Sequence, residues 1–295
     1  MHDYLRAIGF SQLKKNKDVR EILNLAIQRP TSEYVSSLDN GETLFGEKEI
    51  EFSDRFGLRI RGEYDEEGHF HDEYYFPHLK GSVRSFKEQV TLEKQPDKDA
   101  YSGICDQTGM GVSLIFHLSN MVDYLDYQEF HKGALVYAPV NLTGLCTSGR
   151  ILLPLMKTTK NEKRRLDDRT NRENMIAAAR NGDQDAIESL TLEDIDLYAT
   201  ISRRSKREDV LTIVESYFMP YGISCDLYSV MGEISNVEQV RNTFTGEEVY
   251  ILTLECNDII FDVGINKVDL YGEPTPGRRF KGNIWMQGHI EFLGI

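Results

Sequence analysis

The sequence predicts an α+β protein: two antiparallel, strand-rich regions joined by a helical segment, the second region curling into a small C-terminal β-barrel for which an OB-like topology is one form. Three observations carry this. Residues 221–295 hold four runs with strand character, separated by NTFTGE, ND and LYGEPTPG. In the last run Ile284, Met286, Ile290 and Phe292 alternate with Trp285, Gln287, His289 and Glu291, the period-two pattern of a strand with two unlike faces. Between Thr158 and Tyr217 the composition turns charged and the apolar spacing becomes helical.

Taken in order, Val19, Ile22, Leu23, Ala26 and Ile27 form one apolar stripe, predicting a helix over Lys17–Gln28 that Pro30 stops. From Glu42 the period shortens. Lys48–Phe52, Leu58–Tyr64, His69–Phe76 and Phe86–Glu93 read as strands, the second and third joined through Asp65-Glu66-Glu67-Gly68 as a hairpin. Gly111–Leu118, Ala134–Val140 and Ile151–Met156 are apolar runs, and Met121–Phe130 reads as a short helix. The helical segment divides into four short helices, over Arg172–Arg180, from a cap at Asp183, from Thr191, and over Asp209–Tyr217. Their stripes, which include Ile187, Leu192, Ile195 and Val210, are expected to clasp the two strand-rich halves together. The resulting division is 1–34 (N-terminal helical), 35–157 (strand-rich α+β), 158–217 (helical connector) and 218–295 (barrel-like).

With 295 residues, 40% hydrophobic and 28% charged, the composition is that of a globular protein large enough for two domains. A formal charge of -14 argues against a duplex nucleic-acid binder, which needs a basic face to displace counterions. The four cysteines are far apart and form no CxxC pair, so buried, reduced thiols and a cytoplasmic setting are expected. No run is long and apolar enough to predict a membrane span.

Three stretches carry candidate chemistry. His69, His71 and Glu73 fall at i, i+2 and i+4 of a predicted strand, a donor set that zinc or another transition metal accepts. Ser148, Gly149 and Arg150 lie in a small-residue loop between two apolar runs, able to cradle an anion through its amides and a guanidinium. Arg278, Arg279 and Lys281 precede Trp285, an arrangement of cations and an aromatic that suits single-stranded nucleic acid. Each has a plainer reading, respectively a polar strand face, a strand-to-strand turn and a structural hairpin.

The runs GEYDEEGHFHDEYYFP, GMGVSLIFHLSN, ARNGDQDAIESLTLEDIDLY, YFMPYGISCDLYSVMGEI, TGEEVYILTLECNDIIFDVGINKVDLYGEPTPGRRFKG and IWMQG resemble a bacterial family catalogued as a domain of unknown function. The resemblance spans nearly the whole chain. It implies a cytoplasmic bacterial protein of this length and supplies no catalytic or binding residue.

No nucleophile–base pair or phosphate-loop motif stands out, so a non-catalytic binding or regulatory protein, with a protein or small-ligand partner, ranks first. The competing classes are a metal-dependent hydrolase using the His69/His71/Glu73 face and a single-strand binder using the barrel. No cofactor is indicated.

Overall fold

The computed structural model describes residues 3–13, 15–38, 43–96, 100–106, 113–131, 133, 135–154, 175, 178–179, 182–204 and 210–292. It is strand-rich, with few helices and two sheets. A four-stranded antiparallel sheet contains β1 (Ser32–Leu38), β2 (Thr43–Glu51), β3 (Phe56–Tyr64) and β4 (Phe70–Leu79) in that order. The other ten strands share one sheet. These are β5 (Phe86–Lys94), β6 (Tyr101–Cys105), β7 (Leu114–Leu118), β8 (Leu135–Leu152), β9 (Tyr217–Pro220), β10 (Leu227–Arg241), β11 (Glu248–Cys256), β12 (Ile259–Asn266), β13 (Leu270–Tyr271) and β14 (Arg279–Ile290).

That sheet closes on itself twice. The ladders β10–β11, β11–β12, β12–β8 (parallel), β8–β14 and β14–β10 make one ring. The ladders β8–β5, β5–β6, β6–β7 and β7–β14 make a second. Both rings share the β8–β14 ribbon. The C-terminal strands therefore do not form their ring from residues 218–295 alone, because β8 comes from the first strand-rich region. Residues 135–140 of the first apolar run, the expected loop at 144–149, and Ile151 and Leu152 of the second run lie in one continuous 18-residue strand, β8.

β14 is buried on both faces. Ile284, Met286 and Ile290 enter the larger core, as their alternation predicts. Trp285 enters a second core, with the small sheet, the N-terminal helices and Leu145, Val249 and Ile251. The indole stacks on Tyr4 at 5.6 Å and donates Nε1–H to Asp226 Oδ2 at 2.7 Å. Gln287, also on the face expected to be polar and outward, donates to the Pro77 carbonyl at 2.7 Å and accepts from Leu79 N–H at 3.2 Å. Phe292 lies beyond the strand and is only partly buried, between Tyr124 and Tyr127.

The helix α1 (Asn16–Gln28) buries Val19, Ile22, Leu23 and Ala26, the predicted stripe, in the second core with Leu58 and Ile60. α2 spans Met121–Phe130 as expected. The helical connector departs from expectation. Asp183 does cap a helix, its Oδ1 accepting from the N–H groups of Asp185 and Ala186. That helix, α3 (Gln184–Arg204), then runs unbroken for 21 residues, and Leu192 and Ile195 on it are 60% and 57% exposed. A buried clasp built on Ile195 is therefore wrong. The stripe has helical period, but nothing described packs over those two side chains. α4 is a single turn, Val210–Ile213, and the helix expected over Arg172–Arg180 falls largely outside the described residues. Among the described residues no helix is long and apolar enough to cross a membrane.

Candidate functional site

Two groupings of ionisable side chains stand out on the small sheet, one buried and one at the tip of its β3–β4 hairpin. The first is internal. Cross-strand partners share a face, and the register pairs Glu47 with Arg61 and Glu49 with Arg59. All four point toward the large sheet. Arg61 Nε donates to Glu47 Oε2 at 2.6 Å, and its Nη2 reaches the carbonyls of Leu118 and Ser119 at 3.2 and 3.0 Å. Arg59 pairs with Glu47 at 3.2 Å and Glu49 at 3.0 Å and donates to the Ser119 carbonyl at 2.6 Å. The guanidinium of Arg61 lies 4.6 Å from the Phe76 ring centroid.

His78 completes the array from β4, its Nε2 3.0 Å from Glu49 Oε1. It reaches across Gly57, where any Cβ would meet the imidazole and the Ile50 carbonyl. Burial alone would raise the Glu49 pKa, but His78, Arg59 and Lys80 outweigh it and hold the carboxyl below its usual range. Burial, reinforced by Arg59, holds His78 below the ordinary histidine value, so the imidazole is neutral. His289 is lowered for the same two reasons, against the opposing pull of Asp123, Glu291 and Glu49.

These two depressed histidines fix a sign. An unfolded histidine titrates near 6.5, so below that pH the unfolded chain binds protons that the folded one refuses. Stability is unaffected by these groups above about pH 6.5 and drains away as the pH falls below it. The urea midpoint should drop between pH 7 and pH 5.5, with a shallower drop in His78→Gln. A midpoint that rises on acidification would contradict the neutral assignment.

The second grouping is open to solvent at the tip of the β3–β4 hairpin. Gly68, at φ +83, turns the chain, and Asp65 organises the turn by accepting at Oδ1 from the N–H groups of Glu67 (3.0 Å) and His69 (2.7 Å). Its other oxygen, Oδ2, faces two imidazoles, with His69 Nδ1 at 3.3 Å and His71 Nε2 at 2.9 Å. Glu67 Oε2 stands 3.8 Å from His69 Nδ1. The His71 imidazole, then the His69 N–H, hold the Asp65 carboxyl down at about 2. Among the described residues, Asp65, Glu67 and His69 bring three donor atoms within 4.8 Å of one another. Glu73, grouped with His69 and His71 by strand spacing, is the extra residue of a bulge, since Arg61 pairs Tyr74 while Gly62 pairs Asp72. The turn supplies the nearer carboxylates. Only the pair of histidines was visible from spacing.

A family model described as "Domain of unknown function, E. rectale Gene description (DUF3881)" matches residues 5–288. The chain belongs to the DUF3881 family. Neither a curated protein nor a solved structure matches it.

The remaining candidate residues of this DUF3881 protein are dispersed. Ser148, Gly149 and Arg150 lie in β8 rather than in a loop. Gly149 is in register with Gly282 on one side and Leu270 on the other, so its backbone serves two ladders and forms no anion cradle. The Arg150 guanidinium sits 5.8 Å from the Tyr271 ring centroid. Arg279 and Trp285 are buried and unavailable as surface contacts. Arg279 donates instead to the carbonyls of Leu153, Val214 and Leu211, tying the end of β8 to the segment around α4. Arg278 is half-buried, donating to the Glu273 carbonyl at 2.8 Å. Lys281 pairs across the shared ribbon with Arg150, which places two cations from separate candidate sets side by side. The thiols of Cys146 and Cys256 are pushed up to about 12 by burial and are not thiolates at neutral pH.

Proposed function

We propose that this protein is a non-catalytic binding or regulatory protein that takes its ligand at the β3–β4 hairpin tip. The observation that carries the reading is the contrast between the two charged groupings. The buried array lies beneath the small sheet out of reach of solvent, whereas the hairpin tip gathers two imidazoles and two carboxylates in the open. Acid–base and hydrolytic catalysis depend on a preorganised environment that excludes water, where electrostatic interactions are strong. His69 and His71, 72% and 65% exposed, have no such surroundings. An exposed donor cluster on a rigid two-stranded support suits reversible binding.

The competing reading is a metal-dependent hydrolase centred on the same histidines. The chain, with and without added zinc or manganese, should be challenged with ester, phosphoester and peptide substrates. The expected result is no turnover above buffer. Turnover that disappears in a His69→Ala/His71→Ala variant would overturn the binding reading.

A further inference from the structure

We infer that the hairpin tip is a divalent transition-metal site in which Asp65, Glu67, His69 and His71 are the four protein ligands and zinc is the ion the donor set fits. The inference rests on the binding reading above and names its ligand.

The geometry points there in three ways. First, the donor types are right. Two imidazole nitrogens with two carboxylates suit borderline ions such as zinc, whereas calcium and magnesium prefer oxygen alone. Second, the separations are right. Zinc–nitrogen and zinc–oxygen bonds of about 2.0–2.2 Å, set tetrahedrally, place neighbouring donors about 3.3–3.5 Å apart. Asp65, Glu67 and His69 offer donor atoms within 4.8 Å of one another, with His69–Asp65 at 3.3 Å and Glu67–His69 at 3.8 Å, close to that edge. His71 joins them through Asp65, at 2.9 Å, and a side-chain rotation brings its imidazole in as the fourth ligand. Third, the support is right. The carboxylate shared by both histidines is fixed by two backbone N–H groups, leaving Oδ2 turned toward the imidazoles. Metal sites rely on such outer partners to orient their ligands. The imidazole–carboxylate contacts lie where metal bonds would form, and an ion entering there would take the place of these contacts. Each imidazole would present the nitrogen that now faces Asp65, Nδ1 for His69 and Nε2 for His71.

The test uses the untagged full chain, stripped with chelator and titrated with zinc chloride by calorimetry, then with cobalt(II) followed by visible absorption. One zinc equivalent is expected, together with the intense bands of a four-coordinate cobalt ion. His69→Ala, His71→Ala and Asp65→Asn should each weaken zinc at least about tenfold, the lower bound for disturbing even a supporting partner of a metal site. Glu73→Gln should leave affinity unchanged. Because these side chains lie on a solvent-facing tip, all four variants should melt like the parent in chelator, which separates lost ligation from lost folding. No heat on titration, or equal affinity in the His69→Ala/His71→Ala variant, overturns the site. Absent zinc binding removes the metal alone, whereas turnover dependent on the histidines removes the non-catalytic reading alone, so the two failures are told apart.

Discussion

Replacing Arg61 with methionine lowers the stability of the fold by about 3–5 kcal/mol, the cost of breaking a buried ion pair by removing one partner. Arg61 is 0% exposed and Glu47 2%, and each faces the other across β2 and β3. Methionine fills much of the volume but leaves the Glu47 carboxylate short of the donor it meets at 2.6 Å. It also strips the Leu118 and Ser119 carbonyls of a donor at the point where β7 runs into α2. The urea midpoint reads the loss. Arg61→Met with Glu47→Leu should recover most of it, because removing both partners of a buried pair with apolar groups of similar shape is often neutral. A single variant that loses less than about 1 kcal/mol would show that Arg59, already 3.2 Å from Glu47, suffices to hold the carboxylate without Arg61.

The second large effect belongs to Phe116, where alanine costs about 3–5 kcal/mol, the range for emptying a buried aromatic site. The ring lies over two glycines on neighbouring strands. A Cβ on Gly103 of β6 or on Gly288 of β14 would run into it. The aromatic thus covers the seam that joins β6, β7 and β14 and closes the second ring. Removing it leaves a void that neither glycine can fill. Gly288→Ala should also destabilise, by forcing the ring aside. Combined with Phe116→Ala it should cost clearly less than the sum of the two, since the same space is then shared. Additive losses in denaturant melts would place the ring elsewhere.

The strands were legible because backbone period survives in the letters. β12 and β14 alternate visibly, the hairpin turn announces itself with Asp65 and Gly68, and α1 shows one clean stripe. What the letters hid was burial of polar groups. Trp285 and Gln287 lie on the strand's polar face, yet both are buried, with hydrogen bonds to partners distant in sequence. Asp262 is a third such residue. It is 0% exposed, accepting from Arg55, Ser82 and Thr253, contacts set by tertiary register and not by spacing. Nor does spacing show the burial of Glu47, Glu49 and Arg61, since a charge is cheap to bury only when its opposite arrives from another strand. At the candidate site, period two found both histidines. It missed Asp65 and Glu67, which a turn carries into place, and it chose Glu73, which a bulge carries off.

The shared ribbon has a consequence for how the protein is made. β14 is the last strand among the described residues, yet its ladders with β8, β7 and β10 close both rings. A nascent chain that has emerged from the ribosome only as far as residue 270 carries β5 to β8 and β10 to β12 with neither ring complete. Strand edges destined for the middle of the sheet, including one side of β7, stay open until residues 279–290 arrive. Open edges recruit other strands, and pairings so distant in sequence form slowly. Ribosome-bound fragments ending before Arg279 should therefore be the species that chaperones hold, and release should coincide with the arrival of a single twelve-residue segment.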